Sequence, residues 1–119
     1  MLAGCQKEGR TDQTQPDAVT ADPDHYSVEF ENDVVRLLRV RYGPEEASVM
    51  HRHPANCAVF LTDAVARMEL PDGETAEPSF KAGQLLCGDA EVHNPSNTGS
   101  EPLELIIVEL KGREAFSQQ

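Results

Sequence analysis

Residues 49–61 have the sequence VMHRHPANCAVFL, in which two histidines flank an arginine just before a proline. Side chains of an extended strand point alternately to opposite faces, so His51 and His53 lie on the same face. Two imidazoles on one face are suited to binding one metal ion. If the same alternation resumes after Pro54, Cys57 also points inward. The stretch therefore offers three candidate ligands close together in the chain.

A second segment, residues 91–97 with the sequence EVHNPSN, carries another histidine. A β sheet that folds back on itself brings a later strand beside an earlier one, so we expect His93 to approach His51 and His53. The predicted site is a divalent-metal pocket inside a small barrel, with Fe, Zn, Ni, Cu or Mn as the ion. The alternative is a His-x-His tripeptide exposed to solvent on a strand, without any ligand.

Composition limits the chain to one globular domain and excludes some partners. The 119 residues are 39% hydrophobic and carry a net charge of −11. Nucleic acids and anionic membrane surfaces repel a protein this acidic, so neither is an expected partner. No apolar run approaches the length of about twenty residues that a membrane-spanning helix needs. We attribute the acidity to solubility.

The three cysteines are too few to form a disulfide scaffold. Cys57 and Cys87 are able to form one bridge in an oxidising compartment. In the other interpretation Cys57 is a metal ligand and Cys87 is a small buried hydrophobic residue. The sequence does not distinguish between these two possibilities.

The N-terminal residues 1–24 are predicted to form a disordered tail, because the part after Cys5 is rich in Gln, Thr, Asp and Pro. Residues 2–5, Leu-Ala-Gly-Cys, resemble the lipobox of bacterial lipoproteins, whose cysteine is acylated. The basic and apolar regions that normally precede a lipobox are missing from this sequence. We expect an extracytoplasmic, lipid-anchored protein whose start lies upstream, or else a cytoplasmic protein with a plain tail. His25, at the edge of the tail, is expected to be exposed.

From Tyr26 onward, short alternating runs separated by turn residues indicate an all-β sandwich or barrel. In residues 34–42, Leu38 and Val40 share one face while Arg39 and Arg41 share the other. The most apolar run, residues 103–110, is expected to lie centrally, and the chain is expected to fray over residues 112–119. The predicted strands are residues 26–30, 34–42, 47–51, 57–61, 65–70, 74–80, 84–87, 91–93 and 103–110.

The segment from residue 25 to residue 111 resembles a single-domain cupin, a double-stranded β-helix or jelly-roll barrel of the RmlC-like superfamily. Cupins carry a first motif of glycine followed by His-x-His and glutamate, and a second motif of glycine, a short strand, histidine and asparagine. The residues that match these motifs are Gly43, His51, His53, Gly83, His93 and Asn97. The resemblance implies the jelly-roll fold, a metal site and, since cupins commonly pair through their sheets, a homodimer.

The match departs from the family pattern at the glutamate of the first motif, where this chain has Cys57 or Ala58. The fourth ligand is then Cys57, another residue such as Glu91, or water. Asn97 is expected to shape a loop.

Cupins catalyse several reactions or none, so the resemblance indicates the fold better than the function. The first hypothesis is a metal-dependent oxygenase or isomerase acting on a small molecule. The second is a non-catalytic module that binds or senses a metal or small ligand, and the third is a structural barrel whose histidines are relics.

Overall fold

A computed structural model describes residues 14–115 of the chain. It contains one short helix and ten strands, and no described helix has the length and apolar character needed to cross a bilayer. The elements are α1 (Ala18–Ala21), β1 (Tyr26–Glu31), β2 (Val35–Tyr42), β3 (His51–His53), β4 (Asn56–Phe60), β5 (Ala64–Glu69), β6 (Thr75–Ala76), β7 (Ser79–Phe80), β8 (Leu85–Gly88), β9 (Glu91–Asn97) and β10 (Leu103–Leu110).

The strands form two antiparallel sheets, as expected for an all-β jelly-roll barrel. The first sheet has the order β1-β2-β10-β4-β8. The second has the order β3-β9-β5-β6, and β7 also pairs with β5. The prediction that the most apolar strand lies centrally is confirmed, because β10 pairs with β2 on one side and β4 on the other.

Alternation along the strands places the core between the two sheets. On β2, Leu38 and Val40 are buried while Arg39 and Arg41 face outward, as predicted. On β10 the buried residues are Leu103, Leu105, Ile107 and Glu109. The last inward-facing residue of β10, the most apolar strand, is therefore the buried carboxylate Glu109.

Three strand predictions are wrong in extent, one of them because the strand predicted over residues 74–80 is two separate strands, β6 and β7. Residues 47–50 are not a strand, and β3 consists of the three residues His51–His53. β9 continues to Asn97 through a segment predicted as a loop. Pro95 is tolerated within β9 because β9 pairs with β3 only up to His93, so at Pro95 only β5 lies alongside as a paired strand.

The predicted disordered tail is also too long. Its residues 1–13 and the lipobox lie outside the described residues, but residues 14–24 are ordered. Ala18 of α1 is fully buried, the N–H of Arg52 donates to the carbonyl of Pro16, and the Arg52 Nε donates to that of Gln15. A few specific contacts thus outweigh a composition that disfavours folding.

The predicted fraying of residues 112–119 is wrong for residues 112–115. The N–H of Ala55 donates to the carbonyl of Arg113, and the N–H of Ala90 donates to that of Glu114. The segment therefore closes over the two turns that lead into β4 and β9. The remaining residues, 116–119, lie outside the described part of the chain.

The outer face of the first sheet is largely apolar. One cross-strand row consists of Phe30, Leu37, Val108, Cys57 and Cys87. The neighbouring row is apolar on β10, β4 and β8, with Ile106, Val59 and Leu85, and polar on β2 and β1, with Arg39 and Ser27. Phe30 is 52% exposed and Leu85 is 67% exposed. We call these two rows the outer apolar face.

A disulfide between Cys57 and Cys87 joins β4 to the edge strand β8 at directly opposed positions. Every residue of β8 is exposed, so little apolar burial holds this strand in place. The bridge closes a loop of 30 residues, which limits the freedom of the unfolded chain.

We expect the Cys57→Ser/Cys87→Ser variant to lose about 3 kcal/mol in the free energy of unfolding, because loop closure of this length contributes about that much. Urea unfolding at pH 7 measures the loss. Wild-type protein unfolded with excess dithiothreitol serves as the control and should match the double variant. Equal stability of reduced and oxidised wild-type protein would contradict the prediction.

Candidate metal centre

The strand register brings the predicted histidines together. β3 and β9 pair so that His51 lies directly opposite His93, and His53 follows two residues later on the same face. One ring nitrogen from each of the three histidines lies within 4.8 Å of the others. The predicted approach of two distant segments is thus confirmed. We call His51, His53 and His93 the histidine triad.

The distances within the triad suit a metal ion. The Nε2 atoms of His51 and His53 are 3.1 Å apart. Two nitrogens bound to one ion at about 2.0–2.1 Å lie about 2.9–3.4 Å apart for angles between about 90° and 109°. All three ring nitrogens lie within 4.8 Å of one another, so the His51–His53 pair already has the spacing of two ligands and His93 lies beside it.

His53 is held by a chain of charged groups that starts at its other ring nitrogen. Its Nδ1 lies 2.6 Å from Oε2 of the buried Glu109. Arg36 donates to the second oxygen of Glu109 through Nε at 3.0 Å and also donates to Asp17 at 2.8 Å. A carboxylate at Nδ1 keeps the proton there and leaves Nε2 free to bind a metal.

Along this series of charged groups, burial and ion pairing shift the pKa values in opposite directions. Burial disfavours the charged form of Arg36, but hydrogen bonds and attraction from Asp17 and Glu109 outweigh it and raise the pKa of the guanidinium. Burial likewise raises the pKa of Asp17, but hydrogen bonds from Thr20 and Arg36 lower it below its usual value. The Arg36 charge therefore neutralises the carboxylate that orients His53.

His51 is oriented by the backbone and by a second polar group. Its Nδ1 donates to the carbonyl of Val49 at 2.7 Å. The hydroxyl of Ser48 lies 3.4 Å from the same nitrogen and donates to Asp22. Like His53, His51 therefore has its Nδ1 occupied and its Nε2 turned towards the triad.

His25 is not exposed as predicted, because its side chain packs against Tyr42 and joins the Asp22 network. Its Nδ1 lies 2.8 Å from Asp22 and its Nε2 lies 3.0 Å from Glu46. Burial lowers the pKa of His25, but these two carboxylates outweigh burial and raise it. His25 thus lies outside the triad, and its pKa is raised whereas the pKa values of His51 and His93 are lowered.

The third histidine has a ring nitrogen with no partner. Nε2 of His93 is buried and makes no hydrogen bond within the described residues, and its Nδ1 lies 3.5 Å from the carboxylate of Glu91. Burial lowers the pKa of His93 to about 3, with repulsion from His53 adding to it. Burial, with repulsion from His53 and His93, also lowers the pKa of His51 to about 3. Both rings are neutral at pH 7, as metal ligands must be.

These shifts predict that the metal-free protein loses stability on mild acidification. Unfolded histidines titrate near 6.5, so between pH 7 and pH 5 the unfolded chain binds protons that folded His51 and His93 do not. The contribution of these two rings to the free energy of unfolding is therefore fully present above about pH 6.5, and it is lost as the pH falls towards their pKa in the folded state. We expect a loss of about 2 kcal/mol for each of these rings between pH 7 and pH 5.

Urea unfolding in the presence of a chelator at pH 7, 6 and 5 measures this dependence. The His93→Gln variant removes one titrating ring and should show about half the wild-type slope. The His25→Gln variant should steepen the slope, because the raised pKa of His25 stabilises the folded state below about pH 6.5. A wild-type stability that is flat or rises towards pH 5 would contradict the prediction.

The prediction that Cys57 is a ligand is wrong, since its sulfur is bonded to Cys87 on the outer face. The inward residues of β4 are Asn56, Ala58 and Phe60. β3 and β4 belong to different sheets, and the corner between them shifts the alternation by one residue.

Glu91, the other suggested fourth ligand, lies outside the triad. Its carboxylate contacts His93 Nδ1 and lies 3.2 Å from the side-chain amide of Asn56. Asn97 shapes its loop as predicted, because its side chain donates to the carbonyls of Gly43 and Glu101 and accepts from Gly99 N–H.

A comparison with solved structures identifies the architecture. The chain is 21% identical to a cupin domain from Bordetella pertussis Tohama I, with a TM-score of 0.68 over 83% of this chain and 98% of that one. The protein has the cupin fold. An uncharacterised double-stranded β-helix protein from Klebsiella pneumoniae is 18% identical, with a TM-score of 0.62 over 95% of this chain and 99% of that one.

A third similar structure comes from a protein named as a transcriptional regulator. The cupin domain of an XRE-family transcriptional regulator from Enterobacter cloacae is 16% identical, with a TM-score of 0.57 over 74% of this chain and 96% of that domain. No protein-family model matches the sequence, and no curated protein matches it significantly. At these identities the likeness shows the cupin fold alone.

Sequence reasoning missed Glu109 and Arg36, although the pattern contains a signal for both. Arg36 lies in the same phase as Leu38 and Val40, and Glu109 lies in the same phase as Leu105 and Ile107. The two residues are directly opposed in the β2–β10 pair. A charged residue that faces inward on an apolar strand requires an oppositely charged or polar partner. Here Arg36 pairs with Glu109, and Glu109 contacts His53.

Proposed function

We propose that this cupin domain binds a divalent metal ion through His51, His53 and His93 and uses it to transform a small molecule as an oxygenase or isomerase. The observation that carries the proposal is the convergence of three oriented imidazoles, one with a buried and unpartnered Nε2. A structural barrel has no need of such an atom, because an unsatisfied buried polar group is destabilising. A metal ion would satisfy it.

Three protein nitrogens leave at least one coordination position for water or a substrate. A nitrogen-only set favours Fe, Zn, Ni or Cu over Mn. A bound ion would supply Lewis-acid chemistry or O₂ activation at that position. The chain's own contribution is to keep the His51 and His93 rings neutral and to hold His53 through Glu109.

A non-catalytic binding or sensing module is the second candidate. Within the described residues, the group suited to metal binding contains the three histidines and no carboxylate, so no acid or base accompanies them in that group. The similar domain from Enterobacter cloacae is part of a transcriptional regulator, which is consistent with ligand sensing. In this alternative the open position captures a ligand without turnover.

Elemental analysis of protein purified without added metal, followed by titration of metal-free protein with Co²⁺, tests the proposal. We expect one equivalent of metal and a visible Co²⁺ spectrum that changes on adding azide, because an open position accepts a small anion. A spectrum insensitive to azide would contradict an open, reactive site. Failure to bind any divalent metal would contradict the proposed metal site.

We also propose that the domain forms a homodimer through its outer apolar face. The support is the exposure of Phe30 and Leu85 in two largely apolar rows, since contiguous exposed apolar surface marks association sites. The open edge of β8 adds unpaired backbone groups that a second copy would cover.

Light scattering coupled to gel filtration measures the mass in solution, and we expect about twice the 13.1 kDa of one chain. The Leu85→Lys variant should be monomeric, because it places a charge within the outer apolar face that the dimer would bury. Leu70 is exposed and directly follows β5 of the second sheet, so Leu70→Lys is the matched control and should stay dimeric. A monomeric wild type would disprove the dimer.

For location, we propose an extracytoplasmic protein anchored through Cys5. The Cys57–Cys87 bridge supports an oxidising compartment, where disulfides persist. Labelled fatty acid fed to cells expressing the natural gene should be incorporated into the wild type and be absent from Cys5→Ser. Incorporation that survives this substitution would contradict anchoring at Cys5.

A further inference from the structure

The barrel interior contains an apolar cavity of about 60 Å³ next to the histidine triad. Both sheets line it, with Phe60 and Ile107 from the first and Ala66 and Met68 from the second. His93, the histidine with the unpartnered Nε2, is part of the lining. The cavity therefore borders the histidine whose Nε2 lacks a partner, and its other lining is largely apolar.

No Asp, Glu, Lys or Arg belongs to the described lining of this cavity. Its two tyrosines, Tyr26 and Tyr42, bond to each other through their hydroxyls at 2.7 Å. A charged ligand group would lose its hydration here without meeting an opposite charge.

From this cavity we propose that the ligand of this site is a small neutral molecule with one polar atom at the metal position beside His93 and an apolar tail in the barrel. The inference deepens the proposed function and rests on it for the role of the polar atom at the metal. The cavity volume allows roughly four to six methylene-sized groups, if each needs about the space of one water. Dicarboxylates are excluded because their second carboxylate would lie in the tail region.

Unbranched primary alcohols are suitable probes, because a hydroxyl is able either to donate to or to accept from His93 Nε2. Metal-free, isotope-labelled full-length protein is titrated with ethanol, 1-propanol, 1-butanol, 1-pentanol and 1-hexanol, and with butyrate and n-butylammonium. NMR shifts of the methyl groups of Ala66, Met68 and Ile107 report on the cavity. The methyl groups of Ile106 and Leu85 report on the outer apolar face.

Affinity at the cavity methyls should rise about fourfold per added CH₂ and stop rising near five carbons. Butyrate and n-butylammonium should bind there at least tenfold more weakly than 1-butanol. Binding of either ion as tightly as 1-butanol would overturn the inference. So would alcohol shifts confined to Ile106 and Leu85.

Two substitutions locate the site. Ala66→Leu fills the cavity and should weaken 1-butanol binding at least tenfold, whereas Ala64→Leu, at a buried position outside the lining, should not. Met68→Ala enlarges the cavity and should move the optimum to alcohols two or three carbons longer, which tests the inference even if Ala66→Leu fails to fold. An unchanged optimum in Met68→Ala would overturn it.

The metal-free titration separates this inference from the proposed function. Alcohol selectivity in a protein that binds no metal would overturn the metal proposal alone. Metal binding without alcohol selectivity would overturn the neutral apolar ligand alone.

Discussion

Replacing His93 with alanine is expected to weaken divalent-metal binding by about 10²–10³-fold. Structural zinc sites with four ligands bind with about 10–16 kcal/mol in total, so one ligand accounts for about a quarter of that. The same loss is expected for His51→Ala and His53→Ala, because all three nitrogens share one ion. Competition titration against a chelating dye measures the affinity.

His25→Ala is the matched control, because His25 is also partly buried between carboxylates but lies outside the triad. Its affinity should remain within about threefold of the wild type. Glu109→Gln should fall between the two, with a loss of about 10–100-fold, as substitutions of groups that orient a metal ligand typically show. Equal effects of His25→Ala and His93→Ala would show that the triad does not hold the ion.

Arg36→Met is expected to destabilise the domain by about 3–5 kcal/mol. The substitution leaves the Glu109 carboxylate, which is 1% exposed, without the cation that neutralises it. Removing one partner of a buried ion pair is far more costly than the pair itself is stabilising, because the remaining charge stays buried. The same substitution also frees Asp17, which caps α1. Urea unfolding at pH 7 measures the effect.

Arg39→Met is the matched control, since Arg39 lies on the same strand and faces outward to Glu29 and Glu104. It should change the free energy of unfolding little, because exposed ion pairs contribute little. Adding Glu109→Gln to Arg36→Met should recover at least half of the loss by removing the buried charge. If Arg36→Met were no more harmful than Arg39→Met, Glu109 would not depend on Arg36 for neutralisation.

The second sheet shows where sequence reasoning reached its limit. The proximity of His93 to His51 was predictable, because both lie in motifs typical of a jelly roll. Their direct opposition in the β3–β9 pair was not predictable, because register depends on how far each strand extends. β3 is shorter and β9 longer than their local patterns indicate.

Local strand geometry alone determines two features of this protein. The apolar alternation of β2 and β10 specifies an all-β chain, and the two-residue spacing of His51 and His53 places them on one face. Which residues after Pro54 face the interior depends on the tertiary structure. The corner between β3 and β4 carries the chain from one sheet to the other, so Cys57 leaves the interior and bonds to Cys87. Packing between distant strands also selected Glu109 and Arg36 as the support of His53 and ordered residues 14–24 against β3. These outcomes depend on contacts between segments far apart in the chain, whose free energies exist only once the barrel has closed.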